Sequence, residues 1–312
     1  MLGLLLLLFL GFYAVSVAAL IFLKFRWGMR VVGLAAVLIL GSIAVMFAVY
    51  SAPALARYGL SLFTTADWDP GAERYGLLSA IVGTLISSAL AIAVAMPLAV
   101  SAAVAINEFL PSQVRWVVAS LLDLTAAMPT VIYGLWGRDV LGPALAAGLN
   151  ALGSWLLGAE PVRTPLNLLT AGVLLAVMIT PYAAAIIREG YGLIPRQIEE
   201  AIYAVGATRF EAVLIKLRYI KQYVAGGFFL ALGRAMGETA AVAMVVGGNY
   251  VRLVLNPVDP GITISSLIAL QFPNAANYLY MTPVLYAAAL TLVLMGLVIN
   301  GVALYLLYRW QV

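Results

Sequence analysis

The sequence predicts an all-α, polytopic membrane protein, and three observations carry that reading. Of its 312 residues, 64% are hydrophobic and only 10% charged, against about 25% charged in soluble domains. Several apolar runs reach the roughly 20 residues that a helix needs to cross the hydrocarbon core. Basic residues also fall unevenly between the runs, as the topology of a multi-pass chain requires. Seven spans are expected, at about 2–23, 31–50, 77–105, 115–137, 166–187, 223–250 and 281–308.

The first run has no basic residue ahead of it, while Lys24, Arg26 and Arg30 follow. That is the wrong flank for a secretion signal, so it reads as a retained span. With the Lys24–Arg30 linker in the cytoplasm, eleven of the 17 Lys and Arg residues fall inside and five outside, leaving Arg234 in the membrane. The bias puts the N-terminus outside and the C-terminus in the cytoplasm of a plasma-membrane protein. Residues 1–30 then form an N-terminal span with a basic cytoplasmic linker, and residues 31–76 a span with an extracytoplasmic loop. Residues 77–308 form the main body, which includes a cytoplasmic loop at 188–222.

The chain has no cysteine and no histidine. Disulfides, iron–sulfur clusters, thiolate or imidazole metal sites and Ser-His hydrolysis are therefore excluded. A phosphate loop needs Gly-Lys-Ser/Thr, and none of Lys24, Lys216 and Lys221 follows a glycine. No catalytic residue, metal ligand or cofactor is expected, and any ATP is bound by another chain. The net charge of +4 is explained by topology. The expected partner is the lipid bilayer, not nucleic acid.

The outer segments differ from one another. Residues 51–76 are polar and aromatic with a turn at Asp69-Pro70-Gly71, and residues 138–165 suit a helix lying in the interface. Residues 251–280 read as loop. Together they are either a landing surface for an external partner or ordinary connections.

Inside, Gln197 to Lys216 has helical periodicity, with Ile198, Ile202, Val205, Phe210, Val213 and Leu214 in apolar rows and Gly206 interrupting them. Such an element either docks in a groove of another protein or packs on its own bundle.

Two ionisable groups, Arg234 and Glu238, fall in the run 223–250, which as one helix would be about 42 Å long. A charge at the bilayer centre costs roughly 2.5–3.5 kcal/mol on insertion scales. Four residues apart, the two share a helix face, among small residues that permit close approach or leave a path. They form either an intrahelical pair or part of a route for an ion. Thr239 could donate from the same helix. Asp123, in the fourth span, either answers Arg234 across helices or is hydrated near the cytoplasmic face, and a structural or gating role is expected. Pro97, Pro129 and Pro181 are candidate kinks.

Glu200-Ala201-Ile202 with Gly206 six residues after the glutamate resembles the EAA loop of importer-type ABC transporter permeases, and Gly206-Ala207-Thr208-Arg209-Phe210-Glu211 continues the match. The family's usual Leu-Pro is replaced by Arg218-Tyr219. Ala127-Met128-Pro129-Thr130-Val131-Ile132-Tyr133-Gly134-Leu135-Trp136-Gly137 and Gly233-Arg234-Ala235-Met236-Gly237-Glu238-Thr239 resemble stretches of the phosphate permeases, of the PstC type. So does Ala66-Asp67-Trp68-Asp69-Pro70 ahead of Val82-Gly83-Thr84-Leu85. The likeness covers about residues 55–308.

It implies a six-helix permease core, with span 2–23 as an addition, and transport of inorganic phosphate by alternating access. Glu200, Ala201, Gly206, Ala207, Thr208 and Arg209 would belong to the element that couples to an ATPase dimer carrying ATP and Mg. Arg234, Glu238, Thr239 and Asp123 would belong to the substrate path. A second homologous permease and an extracytoplasmic phosphate-binding protein would complete the machine. Molybdate, tungstate or sulfate are the competing substrates. A secondary anion transporter is the reading from another class, although no internal repeat supports it. A role in signalling to a kinase stays open beside transport.

Overall fold

The computed structural model describes residues 11–12, 25–156 and 162–310. Apart from Gly11 and Phe12, the expected span 2–23 therefore lies outside the described residues.

Helix α1 (Phe25–Tyr58) begins six residues ahead of its expected span, so Phe25–Arg30 are its first turns and not a separate linker. A short helix α2 (Ser61–Thr64) leads to a hairpin of β1 (Trp68–Asp69) and β2 (Arg74–Tyr75), paired antiparallel with Trp68 opposite Tyr75. The expected turn at Asp69-Pro70-Gly71 closes it, with the Ala72 N–H donating to Asp69 Oδ1 at 3.1 Å. Helix α3 (Leu78–Val104) runs on through a wide turn to Phe109. There follow α4 (Ser112–Ala126), α5 (Thr130–Trp136), α6 (Gly142–Leu156), α7 (Leu168–Gly192), α8 (Arg196–Ala204) and α9 (Arg209–Tyr219). The chain ends with α10 (Lys221–Gly237), α11 (Ala240–Val245), α12 (Ile264–Gln271) and α13 (Met281–Arg309).

Among the described residues, four helices are long and apolar enough to cross a membrane: Trp27–Tyr58, Leu78–Phe109, Leu168–Gly192 and Met281–Arg309. Two expected spans are not straight helices. Run 115–137 breaks at Ala127-Met128-Pro129, and Ser112–Ala126 meets Thr130–Gly153 at 87°. Pro129 has no N–H to continue the ladder and disfavours helical geometry in the residue before it. Run 223–250 stops at Gly237, where Glu238 turns extended (φ −68°, ψ 128°). Chain 138–165, expected in the interface, is largely the helical continuation of α5 through α6.

The core lies between α3 and α7. Ala91, Ala95, Ala99 and Ala103 on α3 are all buried one turn apart, which lets two backbones approach closely. Gly172 of α7 faces Leu90, where a side chain would come within 2.7 Å of the Leu90 Cβ. α10 packs on α7 through Gly227, seated against Ala183. The Val82-Gly83-Thr84-Leu85 stretch is a seat as well. Any side chain at Gly83 would strike the Ile262 carbonyl, and Thr84 Oγ1 accepts from the Ile264 N–H at 2.9 Å. This joins α3 to the start of α12.

Sidedness follows from ring contacts. Tyr50 stacks on Tyr286 and Tyr58 meets Tyr280 edge-on, so α1 and α13 run antiparallel. Trp27, Arg30, Arg309 and Trp310 consequently share one face of the bundle. Tyr58, Trp68, Tyr75, Tyr250 and Tyr280 cluster at the other.

Candidate anion path and coupling element

Arg234 sits in the last turn of α10, half-buried. Its guanidinium lies 4.2 Å from the centroid of the Tyr182 ring, and Tyr182 in turn donates its hydroxyl to the Ala126 carbonyl at 2.7 Å. Because the helix ends at Gly237, Arg234 and Glu238 do not share a helical face, and no ion pair joins them. The arginine is held by the ring face and by the negative end of the α10 dipole. Its Nε is buried without an acceptor. Among the described residues, no carboxylate neutralises it.

Glu238 contributes its backbone: its carbonyl accepts from Ser265 Oγ at 2.7 Å. Thr239 lies beyond the break and not on α10, with its Oγ1 donating to the Gly237 carbonyl at 3.2 Å. The Thr239 carbonyl accepts from the Ala243 N–H at 2.9 Å, which starts α11. Gly247 and Gly248 (φ 93° and 71°) then turn the chain out of helical geometry.

The bend beside this site is built by the Ala127–Gly137 stretch. Tyr133 donates to the Thr125 carbonyl at 2.7 Å, tying α5 back to the end of α4. A side chain at Gly134 would come within 2.6 Å of Met244 Sδ, and one at Gly137 within 2.7 Å of Leu174. Both glycines let α11 and α7 lie against this chain.

Asp123 does not answer Arg234. Arg188 Nη2 donates to both of its carboxylate oxygens, at 2.9 and 3.0 Å. The expected loop 188–222 begins later than the sequence indicates, since Arg188 lies in α7 with its side chain 16% exposed. Its charge is spent on Asp123 and not on the solvent.

The candidate coupling element is two helices about Gly206, which adopts a left-handed conformation (φ 83°) with no atom of the described residues near the space a side chain would fill. Of the apolar rows only Ile202 is buried, while Val205 and Phe210 are 82% and 78% exposed at the tip. Glu200, Ala201, Thr208 and Arg209 are exposed beside them and Ala207 is half-buried. Thr208 caps α9 in a closed box: its Oγ1 accepts from the Glu211 N–H, and its own N–H donates to Glu211 Oε2 at 2.8 Å. Gly206→Ala should cost about 1 kcal/mol of backbone strain, measured by thermal unfolding of the solubilised chain. Gly206→Asn should be milder.

Thr208→Ala should lower stability by about 1 kcal/mol, measured by thermal unfolding of the solubilised chain. The bonds from Thr208 hold the Glu211 carboxyl below its ordinary 4.5. A depressed carboxylate stabilises above its unfolded value and loses that contribution as pH falls through its folded one. The deficit of Thr208→Ala should therefore be full at pH 7 and shrink below pH 4.5.

One cluster has no forerunner in the sequence reading. Lys216, 3% exposed, donates to Glu108 Oε1 at 2.9 Å and Oε2 at 3.1 Å, and to Glu199 Oε1 at 2.6 Å. It joins α9 to α8 and to the end of α3. Burial alone would depress the ammonium, but the hydrogen bonds and charges of Glu199 and Glu108 outweigh it and raise its pKa.

Residues 95–311 match the family model described as binding-protein-dependent transport system inner membrane component. The chain is 41% identical over 268 residues to a probable phosphate transport system permease protein PstC of Methanocaldococcus jannaschii, covering 83% of this chain and 85% of that one. It is 34% identical over 289 residues to the PstC protein of Mesorhizobium japonicum, covering 90% and 88%. Among solved structures it resembles a chain of the MetNI methionine ABC transporter in an inward-facing conformation. That likeness has a TM-score of 0.51 at 16% identity, covering 75% of this chain and 94% of that one, and concerns the fold alone. With the fold, the broken helices and the exposed two-helix element in agreement, the chain belongs to the family of binding-protein-dependent transport system inner membrane components.

Proposed function

We propose that this chain is the PstC-type permease subunit of an ATP-driven inorganic phosphate importer. The observation that carries the reading is Arg234, a half-buried guanidinium at a helix break with no carboxylate against it among the described residues. Arginine stays protonated and offers a planar fork that suits two phosphate oxygens. Relatives named as phosphate permeases over most of their length support the choice of anion.

In this reading a phosphate-binding protein meets the outer face, where β1, β2 and the aromatic cluster lie. A second, homologous permease completes the path, and an ATPase dimer seats the Val205–Phe210 tip in its cleft. The chain itself binds no nucleotide. The face bearing Trp27, Arg309 and Trp310 is cytoplasmic, and span 2–23 puts the N-terminus outside. Glu238 and Thr239 shape the path through the chain break, and Asp123 acts with Arg188 as a positioning pair beside it.

The test is uptake of labelled phosphate into vesicles holding the complete transporter, with ATP inside or outside. ATP-dependent uptake that survives collapse of ion gradients and resists excess molybdate, tungstate and sulfate is expected. Uptake that follows an ion gradient instead would make this a secondary transporter, and preferential competition by another oxyanion would reassign the substrate.

A further inference from the structure

A cavity of about 750 Å³ lies between α3, α10 and α13, and Arg234 is not among its lining residues. Its wall is apolar: Met96 and Pro97 of α3, Val224 and Phe228 of α10 and Leu306 of α13 are among its residues. That volume falls within the roughly 300–1,000 Å³ of ligand clefts. At one end the chemistry changes. Arg218 and Lys221 close the groove there, both exposed and neither paired with a carboxylate among the described residues. Lys221 Nζ stands 5.5 Å from the centroid of the Trp310 ring, and Gln222 Nε2 donates to the Trp310 carbonyl at 2.8 Å, fixing that residue at the mouth. Trp27, Arg30 and Arg309 lie on the same face of the bundle.

An apolar trough with two cations unpaired with carboxylates among the described residues, and a tryptophan at the same end, matches an amphipathic molecule. We infer that this groove is a binding site for an anionic glycerophospholipid, with an acyl chain between α3, α10 and α13 and the headgroup phosphate on Arg218 and Lys221. Basic pockets between transmembrane helices recognise anionic headgroups, and tryptophan settles at headgroup level. Each basic residue near the surface is worth about a fivefold gain in affinity. A zwitterionic lipid would fill the trough equally but gain less from the cations.

The test places a photoreactive benzoylphenylalanine at Phe229, which also lines the groove, in the full-length chain reconstituted in equimolar phosphatidylglycerol and phosphatidylcholine, with adducts read by mass spectrometry. Phosphatidylglycerol adducts should exceed phosphatidylcholine adducts about fivefold or more. Arg218→Ala with Lys221→Ala should bring the ratio to one, and Arg218→Lys with Lys221→Arg should keep it. Equal adducts in the parent chain, or a preference untouched by the alanine pair, would overturn the site. So would adducts on residues 2–23 or on another protein chain, which would name a different occupant. Phosphate transport takes no part in the readout, so the lipid site and the proposed substrate stand or fall separately.

Discussion

Arg234→Ala should cut phosphate uptake roughly a hundredfold in vesicles that hold the whole transporter, with the complex still assembled and ATP still hydrolysed. The magnitude follows from two charge-assisted hydrogen bonds from the guanidinium fork, together about 3 kcal/mol. Arg234→Lys keeps the charge but loses the fork and much of the stacking on Tyr182, so it should recover only part of the uptake. Glu238→Gln should leave assembly intact, because that residue serves the fold through its carbonyl and Ser265. Normal uptake by Arg234→Ala would move the anion site elsewhere, and failure to assemble would make the arginine a structural group.

Lys216→Met should be the most destabilising single change in the coupling region. It strands Glu108, whose side chain is only 13% exposed, and an uncompensated buried charge costs roughly 3–5 kcal/mol. Glu199 is half exposed, so Glu199→Gln should cost less than about 1 kcal/mol. Adding Glu108→Gln to Lys216→Met removes the stranded charge and should restore much of the loss, which separates the ion cluster from simple packing. The sign of the pH dependence is fixed by the raised ammonium. Its contribution is whole below the unfolded value of 10.5 and fades as pH rises through the higher folded one. The gap between Lys216→Met and the parent chain should thus hold from pH 7 to pH 10 and close only above. Thermal unfolding of the solubilised chain measures all of these, and a Lys216→Met chain as stable as its parent would refute the account.

Helix identity was legible where one residue pattern dominates. The runs beginning at 31, 77, 166 and 281 appear as long helices, and those at 77 and 166 continue through Pro97 and Pro181, each of which removes one ladder bond without ending the helix. The two failures share a cause. A hydropathy run reports length and polarity, not continuity, and both 115–137 and 223–250 are apolar through a break. Pro129 was a visible signal of the first. The second rests on the long-range Ser265 bond to Glu238 and on left-handed glycines after α11, neither of which periodicity carries.

The site was legible to the same degree. Arg234 stood out because an arginine in an apolar run is rare. Tyr182, its ring partner, looked like any other apolar-span tyrosine. Arg188 was taken for loop because it directly follows the apolar run, so its bond to Asp123 went unseen. Lys216 sits close to Arg218 and Lys221 in an amphipathic stretch, with nothing in the sequence to distinguish it from them. Only the meeting of α3, α8 and α9 sets it apart.

The family's Leu-Pro exit from the coupling element is absent here, yet α9 and α10 still part company at one residue. Ile220, 2% exposed, ends the first helix and begins the second. Seventeen residues of α10 make a rod about 25 Å long, with its foot at that pivot and the guanidinium of Arg234 near its tip. Tilting the rod by about 10° at the foot carries the tip through about 4 Å, more than the span of a hydrogen bond. If a displacement of the Val205–Phe210 tip tilted α10 at this pivot, its effect at the Arg234 end would be of that size.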